Sequence, residues 1–381
     1  MKSLLCRLLL VQVLSLSVAA GAYAAGCGFA VEKVTRVTNS GGKSQTARDN
    51  ARCVTVDPSG TAHMVWVDDK DGNPEVYYAS IAGEVVSPAV RITRSDSVSS
   101  FPCIASEGSN VYILWRESLR TSRQIFYVRL VGGKEVARKQ ITNAALGAGC
   151  PVASVGPDKA LHIAWHQGAP NMTAVYYGKI VGDSLVTKTG LCTSHPAAFR
   201  PDIACDSKGK ILAVWYEGLD IKSRLWDGTA WQPETLVKTN HNRSWRLSLA
   251  NVSEGKWGLA WFDQAPMTSD VLAMFYDGKA WSGETRVNTG QIGFYPAAAG
   301  LGGDGLLVAW EDQDKKQDSV DYLLMMRCYD GLKWGEPIEI ARGSAMSRYC
   351  SLAPAGSVVH AVWFSPAPGN DEIFYGLLRR E

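Results

Sequence analysis

Three arginines, Arg52, Arg200 and Arg246, occupy one register of a repeated pattern, and Arg348 lies beside a further copy of it. The other copies carry Phe101, Cys150, Tyr295 and Tyr349 at that register. A guanidinium is a planar, permanently charged fork of donors that suits bidentate binding of a carboxylate or phosphate. Arginines near a common axis would converge on one pocket and make it a site for an anion. The other reading is that each arginine pairs with a nearby acid and ties neighbouring units together. Acids are to hand: two residues after a recurring tryptophan come Asp68, Glu117, Gln167, Glu217, Asp263, Asp312 and Ser365. Such regularity favours a structural role, capping a turn or pairing with the next unit.

Other constellations carry less chemistry. Asp69-Lys70-Asp71-Gly72-Asn73 resembles part of a calcium loop, but it is too short and lacks a distal bidentate glutamate. His63, His162 and His360 each precede a recurring tryptophan by three residues inside a strand-like run, which points to packing between units rather than metal ligation. No metal constellation, phosphate-cradling glycine loop or nucleophile elbow is present, so neither metal nor cofactor is expected. Lys plus Arg number 39 and Asp plus Glu 37, with no basic block, which argues against nucleic acid as a partner.

The elements that position these residues follow from an internal repeat. Trp66, Trp115, Trp165, Trp215, Trp261, Trp310 and Trp363 each end an apolar run such as Thr61-Ala62-His63-Met64-Val65-Trp66. A turn and another short apolar segment precede each run. A polar loop and a third run follow, as in Val76-Tyr77-Tyr78 or Ile373-Phe374-Tyr375. A tight turn comes next, Asp-Gly at Asp227-Gly228, Asp277-Gly278 and Asp330-Gly331, where both residues tolerate positive φ. A fourth run closes the unit. Four short strands rich in β-branched and aromatic residues, repeated radially, predict an all-β, seven-bladed β-propeller of four-stranded antiparallel blades. The units span approximately 51–100, 101–149, 150–199, 200–244, 245–294, 295–347 and 348–381. The last unit has only three strands. Residues 32–39 supply a candidate fourth, because Val34-Thr35-Arg36-Val37-Thr38 reads like Val90-Arg91-Ile92-Thr93. Pairing the two termini would close the ring and remove a free edge.

Residues 1–26 read as a signal peptide, with Lys2 and Arg7, the apolar run Leu8 to Val18, and an A-x-A site at Ala22-Tyr23-Ala24. Ala24-Ala25-Gly26-Cys27 also resembles a bacterial lipoprotein box, with Cys27 as lipid acceptor. The expected location is therefore outside the cytoplasm: periplasmic, extracellular or lipid-anchored at the envelope, the lipid being the one membrane contact. The remainder, 27–381, forms one domain. Cys53 and Cys350 share a register in the first and last units, either as a disulfide across the closure or as two buried thiols.

With these residues in view the chain resembles the sialidase superfamily and its repeat-bearing relatives, over most of its length at the level of repeat pattern. Phe199-Arg200-Pro201 is similar to the family's Arg-Ile-Pro motif, and Tyr349-Cys350-Ser351-Leu352 to the segment that holds its tyrosine. The resemblance implies a carboxylate held by Arg52, Arg200 and Arg246, a nucleophilic Tyr349 assisted by Glu217, and Asp69 as acid/base. A phenol is the nucleophile suited to an anomeric carbon that bears a carboxylate, because it avoids charge repulsion. Seven units stand where sialidases have six blades, and the Ser-x-Asp-x-Gly-x-x-Trp turn motif is absent. The leading expectation is thus a non-catalytic propeller binding a glycan or protein on one face. A sialidase-like glycoside hydrolase and an envelope scaffold are the alternatives.

Overall fold

The computed structural model describes residues 28–169, 171–193, 197–242, 246–290, 292–315, 320–343 and 347–381. The targeting segment and the candidate lipid acceptor Cys27 lie outside them.

The strand runs form seven antiparallel sheets arranged as the blades of a propeller. In blade 2, for example, Ser99–Glu107, Asn110–Ser118, Arg123–Val131 and Lys134–Gln140 pair in order from the axis outward. The recurring tryptophans lie on the second strand of each blade and are all nearly inaccessible. In blades 1, 2, 3 and 7 the residue directly across the sheet is aromatic: Tyr77, Phe126, Tyr176 and Phe374 stack on their tryptophans at 5.8–6.1 Å. In blades 4, 5 and 6 the facing residues are Lys222, Leu272 and Met325. Those blades carry a second tryptophan, Trp231, Trp281 or Trp334, bridging back to the third strand after the Asp-Gly turn. Either way each blade gains a large aromatic cross-strand contact.

The N-terminal strand closes the ring as expected. Phe29–Arg36 pairs antiparallel with Glu372–Arg380, from Phe29 opposite Arg380 to Arg36 opposite Phe374. The sequence likeness that predicted this closure has a physical cause. In blade 1 the buried Glu75 accepts from Arg91 at 3.1 Å, from the Ser95 N–H at 3.0 Å and from the Thr93 hydroxyl. At the closure the buried Glu372 accepts from Arg36 at 3.0 Å, from the Ser40 N–H at 2.9 Å and from the Thr38 hydroxyl. The Arg-x-Thr pair of a fourth strand exists to satisfy a glutamate that opens the third.

Cys53 and Cys350 are free thiols, each buried. Burial pushes the Cys350 thiol up to about 12 and the Cys53 thiol also upward, so both behave as small apolar residues. The disulfide alternative is not the state seen.

Candidate functional site

Five of the seven register residues have left-handed backbone: Phe101, Cys150, Arg200, Tyr295 and Tyr349, with φ between 48° and 54°. At each the inner strand slips register against its partner, a β-bulge. In four of these blades the next residue is proline, Pro102, Pro151, Pro201 or Pro296, which has no N–H to lose from the ladder. Non-glycine residues in this region carry a conformational cost and persist where surrounding contacts hold them. The bulges re-aim the register side chains at the end of the ring where the inner strands begin.

Blade 1 departs from this plan, and its departure shapes the site. Its inner strand is split into Ser44–Gln45 and Val54–Val56, both paired with Ala62–Asp68. The intervening residues 46–52 leave the sheet and fill the axis. Thr46 donates to the Tyr349 carbonyl at 2.8 Å, and Asn50 to the Pro102 carbonyl at 3.2 Å. Asp49 pairs with Arg200 at 3.2 Å and accepts from the Cys150 thiol at 3.5 Å. One segment thus ties blades 2, 3, 4 and 7.

Two of the arginines serve this plug. Arg52 reaches across the axis to Asp202, Nη2 to Oδ1 2.9 Å, and donates to the Ile203 and Leu249 carbonyls at 2.8 Å. Arg246 is 0 % exposed and donates to the carbonyls of Arg48 at 3.0 Å, Cys350 at 2.8 Å and Ala47. The expectation that both face a ligand is corrected here: Arg246 has no accessible surface, and Arg52 neutralises a buried carboxylate. Arg200 and Arg348 remain half-buried at the mouth.

In four blades the residue after the recurring tryptophan meets the register residue of the next blade. Phe262 packs on Tyr295 at 5.2 Å, and Glu311 accepts the Tyr349 N–H at 2.8 Å. Arg116 lies in the field of Cys150, and His166 in that of Arg200. These positions vary in type from blade to blade, which hides them as a set. Their signal is positional, one residue beyond the tryptophan.

Two clusters result. In the first, Arg116, Arg200 and Asp49 gather at His166, and a Cβ added at Gly149 would stand 3.1 Å from His166 Nε2 and 3.4 Å from Arg116 Cδ. The Arg116 guanidinium lies 4.3 Å above the Phe101 ring. Its Nε and His166 Nδ1 are buried, with no hydrogen-bond partner among the described residues. Burial, reinforced by Arg200, pushes the His166 imidazole down to about 4, so it is neutral at pH 7. In the second, burial pushes the Glu311 carboxyl up to about 8, against the opposing pull of the Tyr349 N–H, Arg348 and Arg246. The Tyr349 ring packs edge-on against Tyr295 at 4.8 Å and Phe364 at 5.4 Å.

The remaining expected site residues lie elsewhere. Glu217 ends Ile211–Glu217, opposite Ala198 and Asp220 in blade 4, while the glutamate at Tyr349 is Glu311. Glu217 is thus not brought to the tyrosine it was expected to assist. Asp69 accepts the Lys43 N–H at 2.7 Å and holds the loop leading to the plug. The other residues two beyond the tryptophans are structural. Glu117 and Asp312 accept from the indole N–H of Trp115 and Trp310 at 2.9 Å, and Asp263 accepts the His241 N–H at 3.0 Å.

No protein-family model matches the chain, and no curated protein does. Solved structures share its fold. A polysaccharide lyase PL25, an ulvan lyase bound to -[GlcA(1-4)Rha3S]-, superposes with TM-score 0.62 at 10% identity, covering 91% of this chain and 96% of its own. The polysaccharide lyase Uly1 gives 0.56 at 8% identity, over 87% and 90%. The NanB sialidase from Streptococcus pneumoniae gives 0.50 at 9% identity, over 90% and 70%. The chain has the propeller fold of these proteins.

Proposed function

We propose that the mouth of the ring binds an acidic carbohydrate. The observation that carries this reading is the orphaned pair Arg116 Nε and His166 Nδ1, buried beside Arg200 and making no hydrogen bond among the described residues. A buried donor without a partner is costly and marks a place for a missing water or ion. A carboxylate or sulfate supplies the acceptor that Arg116 lacks, and a His166 tautomer protonated at Nδ1 donates to the same group. Phe101, Phe199, Tyr295 and Tyr349, half-buried around the mouth, offer ring faces to a sugar. The ulvan lyase neighbour, bound to a saccharide containing GlcA, supports the same ligand class.

The site acts as a binding site rather than a sialidase centre, since Arg52 and Arg246 are committed to Asp202 and to backbone carbonyls. Export and attachment at the envelope, free or through Cys27, belong to the same proposal and rest on the signal-like residues 1–26. The test is calorimetric titration with a glucuronate oligosaccharide and its carboxyl-reduced analogue. Binding of the acidic form alone supports the reading, and equal binding of both refutes it.

One observation favours a catalytic reading as the alternative. Glu311, protonated at neutral pH, accepts the Tyr349 backbone N–H, which puts an acid and a tyrosine in one cluster. Hydrolysis of a fluorogenic sialoside, abolished in Tyr349→Phe, establishes that alternative. Absence of turnover by the folded wild type removes it.

A further inference from the structure

A groove of about 480 Å³ opens between blades 1 and 2, at the strand ends opposite the mouth. Its walls include Asp57, His63, Tyr78, Ser87, Ser109 and Val111. His63 joins its neighbours in a relay, with Nδ1 to the Tyr78 hydroxyl at 2.7 Å and Nε2 to Asp57 at 3.2 Å. Blade 3 repeats the relay almost atom for atom, with His162 to Tyr177 at 2.8 Å and to Asp158 at 3.1 Å. The relay itself is therefore a structural device of the blade.

What differs is the cover. Over Tyr177 sits Trp231 of blade 4, edge-on at 5.1 Å, delivered by the Asp227-Gly228 turn. The corresponding turn of blade 2 is Gly132-Gly133, which closes directly onto Lys134 opposite Val131, and both glycines line the groove. No aromatic ring is delivered there. On the other wall, Ser87-Pro88-Ala89 interrupts the outer strand of blade 1 between Val85–Val86 and Val90–Arg91, which widens the gap. The groove is the space that a ring fills between blades 3 and 4, and its volume is in the range of ligand sites.

We infer that this groove is a binding site for a neutral pyranose ring, seated over Tyr78 where Trp231 lies over Tyr177. The lining chooses the ligand class. Ser80, Ser87, Ser109 and the Asp57 carboxylate offer hydroxyl and carboxylate partners, and Val90 and Val111 offer apolar contact. Asp57 and Ser87 already bond to their own blade, and a sugar's hydroxyls add further bonds to these polar groups where an aromatic side chain adds none. The single acid at Asp57 disfavours an anionic sugar, so this site and the mouth differ in ligand charge.

The test is an NMR titration of the His63 imidazole with the methyl glycosides of glucose, galactose, mannose and fucose at millimolar concentration. Ser109→Trp and Val90→Trp fill the groove from opposite walls at exposed positions, and thermal melts confirm that each folds. The expected result is that at least one glycoside shifts His63, with affinity falling tenfold or more in both tryptophan variants and unchanged in Arg116→Ala. The last variant separates this site from the mouth. The inference is overturned if no glycoside perturbs His63, if binding survives both tryptophan variants, or if N-acetyltryptophanamide binds in preference to every sugar.

Discussion

Arg52 and Asp202 meet across the propeller axis, 2.9 Å apart and 150 residues apart in sequence, joining blade 1 to blade 4. Asp202 is buried, and burial raises its pKa despite the opposing pull of Arg52 and the Leu249 and Ile203 N–H groups. An arginine at a register that suggested ligand capture is instead the counter-charge of an inaccessible carboxylate. Removing one partner of a buried pair leaves the other charge uncompensated, at a cost of about 3–5 kcal/mol. Arg52→Ala is expected to lose stability of that order in urea unfolding, while its folded fraction still binds an acidic saccharide. Full stability with lost binding would return Arg52 to the ligand.

Glu311 gives a dependence on pH with a definite sign. Its folded pKa is raised from 4.5 to about 8, so the native state holds a proton that the unfolded state releases near 4.5. Its contribution to stability is complete below about 4.5 and is lost as pH rises through about 8. Ionisation also places a negative charge beside Arg348 and weakens anion binding at the mouth. Glu311→Gln is expected to flatten both trends between those limits, as read by denaturation midpoints and by titration at several pH values. Unchanged slopes would show that another group sets them.

His166 reports on the site from the opposite direction. Its imidazole is held down to about 4 by burial and by Arg200. An anion bound against it favours the charged form, so saturating acidic saccharide is expected to raise its pKa by one unit or more in an NMR titration. A neutral saccharide leaves it unmoved. If both ligands act alike, the anion does not lie at His166.

The aromatic stacks set stability without touching the mouth. Trp165 is fully buried and stacks on Tyr176 at 5.8 Å. Trp165→Ala removes a large core side chain and is expected to cost about 3–5 kcal/mol in chemical unfolding. A loss below about 1 kcal/mol would mean that neighbouring blades collapse into the cavity.

The propeller was legible because its determinants are local and repeated. The tryptophans recur 46–53 residues apart with the same strand alternation around them, three units share an Asp-Gly turn, and the Arg36-Val37-Thr38 likeness to Arg91-Ile92-Thr93 reflects the same buried glutamate. The register of the site was legible for the same reason, although its bulges, marked by Pro102, Pro151, Pro201 and Pro296, were not read. Roles at the site were not legible, because residues 46–52 decide them. Residues 46–50 of that segment precede the first repeat unit, yet their carbonyls and Asp49 claim Arg246 and Arg200. Glu311 was missed because its chemistry comes from burial against the next blade, which one unit's pattern does not encode.

The most direct test of the anion site is isothermal titration of a glucuronate oligosaccharide into wild type and Arg116→Gln at low and moderate salt. The account predicts binding that weakens with salt and falls at least tenfold in the variant, with the carboxyl-reduced analogue inert towards both. Equal affinity in wild type and variant, or binding of the reduced analogue as tight as that of the acid, would contradict it.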